Sequence, residues 1–137
     1  MHKQKINYTN YSLPMKVLKF GGSSVANSEN IKKVLAIVAN ASKEQKVAVV
    51  VSAFGKTTDN LLAAANSALV DITIAKNILE TIKELHYQVI DDLISSQKEE
   101  VLEVVTSLLD RLCSIYEGIF LLQELSDKTL AKVSSFG

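Results

Sequence analysis

Five consecutive residues, Val47-Ala-Val-Val-Val51, constrain this chain more than any other stretch. An unbroken, β-branched run is the pattern of a strand buried on both faces, which is typical of parallel sheets covered by helices. The residues before it agree. Lys16-Val-Leu-Lys-Phe20 reads as a short strand, and Gly21-Gly22-Ser23-Ser24 breaks it. Asn27 and Ser28 can each cap a helix, and Glu29 would sit in its first turn, where an anion suits the helix dipole. Ile31, Val34, Leu35 and Val38 then recur on one helical face, and Lys43-Glu-Gln-Lys46 reads as the closing polar turn. Strand, helix and strand in under 40 residues predict a βαβ unit with parallel strands and a right-handed crossover. We place this unit at residues 15–59, behind a polar, aperiodic extension at residues 1–14.

After Phe54 the patterning becomes helical, and residues 60–137 read as the mainly helical part of the same domain. Thr58 or Asp59 is the expected cap of a helix carrying Leu61, Leu62, Ala65 and Leu69. Two longer stripes follow: Ile78, Ile82, Leu85, Val89 and Leu93, then Val101, Val105, Leu108, Leu112, Ile115 and Ile119. Ser95-Ser-Gln-Lys98 separates them. Two helices of about 21 residues joined by a short turn predict an antiparallel hairpin. Coiled-coil association is the competing reading, but the runs are short and lack regular flanking charge pairs. Ser126 is the expected cap of a last short helix through Leu130 and Val133.

Composition narrows the function classes. The 137 residues suit one domain, and 47% of them are hydrophobic. Fifteen cations balance fifteen anions, and Arg111 is the one arginine, which argues against a nucleic-acid binder. A lone cysteine, Cys113, cannot form an internal disulfide, and with only His2 and His86 there is little for a zinc site. No run reaches the roughly 18 apolar residues of a membrane span, and the first twelve residues lack the apolar segment of a secretory signal. The expected compartment is the cytoplasm. The sequons at Asn7, Asn10 and Asn40 then carry no meaning.

The candidate chemistry lies at the strand ends. Gly21 and Gly22 fall between a strand and a helix, where open α/β sheets place their ligands. Backbone amides of such glycines can approach an anion closely. Ser23 and Ser24 add hydroxyl donors, and Lys19 adds an ammonium at the strand end. Such a corner could cradle a transferring phosphoryl group; a tight turn beside an exposed lysine explains the same spacing. Gly55-Lys56-Thr57 resembles the tail of a Walker A loop, but Val50 stands where the first glycine is required. The G-x-G-x-x-G dinucleotide fingerprint is absent as well. What remains is Ser52-Ala-Phe-Gly-Lys-Thr-Thr-Asp59, a hydroxyl-rich loop expected beside Gly21-Gly22 and able to hold a small polar substrate. His86 and Cys113 read as packing residues, and Asp91-Asp92 and Glu99-Glu100 as solvated helix faces with no metal site.

These segments together resemble the aspartokinases, within the broader amino-acid kinase family. Lys19-Phe-Gly-Gly-Ser-Ser-Val-Ala26 is similar to their K-F-G-G-[ST]-S-V signature. Val50-Val-Ser-Ala-Phe-Gly-Lys-Thr-Thr-Asp-Asn-Leu61 resembles their second motif, and Val133-Ser-Ser-Phe-Gly137 the start of a third, S-F-G-E-x-L-S. The helical stretch before the third motif looks most like that of bifunctional aspartokinase/homoserine dehydrogenases.

The resemblance implies a three-layer α/β/α fold and ATP-dependent phosphorylation of L-aspartate to 4-phospho-L-aspartate, with magnesium accompanying ATP. It implies that Lys19 offsets charge on the phosphoryl group, that Gly21 and Gly22 donate backbone hydrogen bonds to it beside Ser23, and that Ser52 and Thr58 line the aspartate pocket. A homo-oligomer is expected. In the family an acidic residue follows S-F-G, whereas this sequence stops at Gly137. These residues are therefore expected to be the N-terminal piece of a longer enzyme and inactive alone. The rival readings are another amino-acid kinase, acting on glutamate or acetylglutamate, and a helical interaction module built on a βαβ scaffold.

Overall fold

A computed structural model describes residues 15–137; the N-terminal extension at residues 1–14 lies outside the described residues. Two strands, β1 (Met15–Phe20) and β2 (Lys46–Val51), flank helix α1 (Ser28–Glu44). Four helices follow: α2 (Thr57–Ala68), α3 (Ile72–Leu93), α4 (Lys98–Leu122) and α5 (Asp127–Ser134). β1 and β2 pair in parallel, with Lys19 opposite Val50 and Phe20 opposite Val51. This is the expected strand–helix–strand unit.

Local chemistry explains most boundaries. Asn27 caps α1, its side chain accepting from the Asn30 amide at 2.9 Å. Glu29 stands in the first turn and pairs with Lys33 at 2.7 Å, which holds its carboxyl below the ordinary value. Asp71 caps α3 through the Thr73 amide, and Ser126 caps α5 through the Thr129 amide. Two expectations fail here. Neither Thr58 nor Asp59 caps α2, which starts at Thr57 behind Lys56 and so contains both; Thr57 turns its hydroxyl back to the Phe54 carbonyl at 2.7 Å. The expected polar turn at Lys43–Lys46 is also absorbed: Lys43 and Glu44 complete α1, and Lys46 opens β2.

The helical hairpin is present. α3 and α4 have 22 and 25 residues. Asp91 pairs with Lys98 beside the turn, the Tyr87 and Thr106 hydroxyls meet at 2.5 Å further along, and Lys76 reaches Glu117 at 2.7 Å near the far end. Partners that recede symmetrically from the turn define an antiparallel pair. The second stripe largely holds, with Leu112 and Ile119 buried and Val105 and Ile115 packed against the core, but its edge shifts. Leu108 is 40% exposed, while Leu109, Leu112, Tyr116 and Ile119 face inward.

Those residues join Leu61, Ala64, Ala65 and Ala68 of α2, Ala75, Leu79 and Ile82 of α3, and Val133 of α5 in the main core. Ala64, Ala65, Ala68 and Ala75 are wholly buried, so α2 and α3 pack closely through small side chains. Tyr116 sits wholly buried at the centre and donates its hydroxyl to the Leu61 carbonyl at 3.1 Å. The core thus lies among α2–α5 and not under the sheet.

That placement corrects the expectation for Val47–Val51. Val49, Val50 and Val51 are 43%, 49% and 60% exposed. Alternation and register put Phe20, Val49 and Val51 on the face toward α1, with Val17, Lys19 and Val50 on the other. α1 covers the first face in part; the second, with Val17 65% exposed, has no helix layer among the described residues. The β-branched run encodes burial that two strands and one covering helix do not provide.

Candidate active site

The two glycine-bearing loops leave the carboxyl ends of neighbouring parallel strands, and the strand register brings them together. The Ser52 amide donates to the Phe20 carbonyl at 3.1 Å, extending the ladder one step past β2. The Gly55 amide then donates to the Gly22 carbonyl at 3.2 Å. A Cβ on Gly22 would stand 2.7 Å from the Gly55 carbonyl oxygen, so glycine is required there by close backbone approach. Gly55 itself has φ +50°, a left-handed conformation that also favours glycine. Gly21 differs. Nothing lies within 4 Å of the place its Cβ would take, and its φ of −78° is open to any residue. Its open surroundings leave space for a ligand.

Gly22–Val25 form a single 3₁₀ turn with Gly21 before it and no side-chain cap. The first amides of such a turn, those of Gly22 and Ser23, have no acceptor within it. Ser23 is exposed, its hydroxyl without a hydrogen-bond partner among the described residues, and its carbonyl accepts from Asn30 Nδ2 at 2.9 Å. Lys19 is exposed and makes no ion pair among the described residues, so its ammonium is not committed to a structural partner. Ser52 is exposed and Thr58 half-buried.

The end of the chain reaches the same corner. A Cβ on Gly137 would collide with the Thr58 hydroxyl and come within 3.3 Å of the Thr58 Cα. Phe136 packs against the helical core between Arg111 and Lys132, whose charged groups lie 5.7 Å and 5.3 Å from its ring centre. Segments distant in sequence therefore meet at two points: Gly22 against Gly55, and Thr58 against Gly137.

The sequence reading missed the supports around these loops. The Phe54 ring stacks on His86, centroids 4.9 Å apart and planes 24° apart. Asp92, expected only to face water, accepts from the Ser28 hydroxyl at 2.6 Å and from Gln88 at 2.8 Å. The Ser28 hydrogen bond is the main reason its carboxyl is held below the ordinary carboxylate value. Periodicity carries no signal for the Phe54–His86 and Ser28–Asp92 contacts, because both join residues remote in sequence. Among the described residues no three His, Cys, Asp or Glu side chains converge to hold a cation, and no helix is long and apolar enough to cross a membrane.

A parallel strand pair with its glycine loops abutting at the carboxyl ends defines a class, and comparison agrees: the family model "Amino acid kinase family" matches residues 14–133. The chain belongs to the amino acid kinase family. Within it, the similarity runs to aspartokinases. Aspartokinase 1, chloroplastic, of Arabidopsis thaliana is 37% identical over 124 residues, covering 88% of this chain and 21% of that protein. The bifunctional aspartokinase/homoserine dehydrogenase of Buchnera aphidicola is 32% identical over 131 residues, 90% of this chain and 15% of that protein. The chain thus spans about a fifth or less of the length of these relatives. In fold it matches Escherichia coli aspartokinase III, solved with lysine and aspartate in the T-state, with a TM-score of 0.76 at 24% identity, covering 90% of this chain and 26% of the other.

Proposed function

We propose that this chain is the N-terminal part of an aspartate kinase that transfers the γ-phosphoryl group of ATP to the β-carboxylate of L-aspartate, an early step toward lysine, threonine, methionine and isoleucine. The observation that carries the reading is the convergence just described. The K-F-G-G-S-S loop touches the V-S-A-F-G-K-T-T loop at Gly22 and Gly55, and the S-F-G segment closes on Thr58.

In the transfer a β-carboxylate oxygen attacks the γ-phosphorus, the bond to the β,γ-bridging oxygen breaks, and ADP leaves with that electron pair. Charge on the equatorial oxygens rises along the way, so fixed donors and cations lower the barrier. The Gly22 and Ser23 amides, the open approach at Gly21 and the uncommitted Lys19 ammonium fit a phosphoryl group. The Ser52 and Thr58 hydroxyls fit a small polar acceptor on the neighbouring loop. Magnesium accompanies the ATP phosphates and is assigned to no residue of this chain. The enzyme is read as a cytoplasmic homo-oligomer.

The test is Lys19→Met in the intact kinase. Lys19 is exposed and unpaired among the described residues, so its removal should leave thermal stability within about 0.5 kcal/mol. Aspartate-dependent ADP formation should fall by a hundredfold or more, the order found for lost transition-state donors. Unchanged kcat/KM in a folded Lys19→Met enzyme would overturn the assignment.

A further inference from the structure

Beyond the strand ladder the two loops are bonded to each other at one backbone contact, Gly55 N–H to Gly22 carbonyl, and α3 braces the second loop directly and the first through the start of α1. Behind the first loop, Asp92 accepts from the hydroxyl of Ser28, the first residue of α1. Asn30, two residues on in the same first turn, holds the Ser23 carbonyl. On the second, His86 stacks on Phe54, the residue before Gly55. The His86 ring is itself fixed, because Nδ1–H donates to the Ile82 carbonyl at 2.7 Å. The Phe54 carbonyl receives both the amide and the hydroxyl of Thr57, at 2.8 Å and 2.7 Å, which locks the turn through Gly55. His86 and Asp92 stand six residues apart on one helix, about 9 Å along its axis. Val89 and Ile90, between them, are buried beside Val25 and Phe54.

We propose that α3 sets the spacing of the two motif loops, with His86 and Asp92 as positioning residues that hold the phosphoryl corner against the acceptor corner. The inference rests on the kinase reading for its catalytic consequence and on the contacts alone for its structural one. A rigid helix fixed to Phe54 at one point and to the first turn of α1, which holds the first loop, at the other converts two separate attachments into one set distance. Reaction between groups on facing loops is sensitive to misplacement of about 1 Å. Loss of either contact leaves both loops folded and lets their separation vary.

Two measurements test this. In this chain, hydrogen exchange resolved at the Ser52–Lys56 peptide reads the Gly55 amide. His86→Leu should speed it about two- to tenfold, the worth of an aromatic pair, and His86→Phe should restore protection because it keeps the stack. In the intact kinase, His86→Leu and Asp92→Ala should each lower kcat about tenfold with KM for ATP and aspartate within twofold, and His86→Phe should recover most of kcat. A side chain that only adds stability would lower the melting temperature without that split and without rescue by phenylalanine. Gly55 exchange unchanged in His86→Leu overturns the brace, as does wild-type kcat in a folded His86→Leu enzyme. An intact wild-type protein lacking aspartate-dependent ADP formation, with Gly55 exchange still raised in His86→Leu, overturns the kinase reading and leaves the brace standing.

Discussion

Gly21 and Gly22 are neighbours with opposite structural demands, and replacing each by alanine separates them. At Gly22 the new methyl would stand 2.7 Å from the Gly55 carbonyl oxygen and 3.4 Å from that of Ala53. An ordinary carbon–oxygen contact is about 3.3–3.6 Å, so the loops must part by roughly 0.6–0.9 Å. The Gly55–Gly22 hydrogen bond, already 3.2 Å long, does not survive that movement. Overpacking of this kind costs about 1–3 kcal/mol and the lost bond about 1 more. Gly22→Ala should therefore lose about 2–4 kcal/mol, a fall in melting temperature of roughly 7–14 °C for a chain of this size. Gly21→Ala meets no atom within 4 Å and keeps an allowed φ, so it should match or slightly exceed the parent. In the intact kinase it should still lose most of its activity, because the methyl enters the space left for phosphate. Thermal unfolding followed by circular dichroism, with exchange at Gly55, decides the structural half. A Gly22→Ala chain as stable as the parent, with Gly55 equally protected, would refute the close-approach argument.

Other outcomes follow from the same contacts. Tyr116→Phe removes the hydrogen bond to the Leu61 carbonyl and should cost about 1 kcal/mol in denaturant unfolding. Burial pushes the Tyr116 phenol above its ordinary value, whereas the unfolded phenol titrates near about 10. Its contribution is thus complete below that pH and is lost as pH rises beyond it, so wild type should weaken in alkali more steeply than Tyr116→Phe. The bare face around Val17 and Val50 and the open strand edges should drive association of this chain. A monodisperse monomer in light scattering at high concentration would contradict this. Given ATP and aspartate, these 137 residues by themselves should release no ADP above trace, as a coupled assay would show.

Where local chemistry decides, the fold was legible. Asn27 and Ser126 cap the helices their side chains predict, because an N-cap needs only a short-range hydrogen bond. The two strands and their parallel pairing follow from β-branched runs around a helix, and that pairing places Gly22 beside Gly55. Errors arise where tertiary packing decides. On α4 Leu109 takes the inward place expected of Leu108, because the two are alike to any periodicity, and the buried Tyr116 joins Leu112 and Ile119 on that face. The left-handed residues flanking α4, Gln97 and Gln123, carry no glycine or asparagine signal. Thr57 displaced Thr58 at the start of α2 through a bond back to Phe54 that spacing does not announce. His86 and Asp92 look idle in sequence because their partners are 32 and 64 positions away.

Because the alanine-lined interior belongs to α2–α5, warming or mild denaturant should open this molecule in two zones. The helical assembly has its own sealed interior and can persist after β1, α1 and β2 begin to exchange with water. The corner that would meet a nucleotide thus straddles a soft zone and a hard one. A ligand gripping both would stitch them into one cooperative unit, and protection against exchange would spread outward from the strands as it binds.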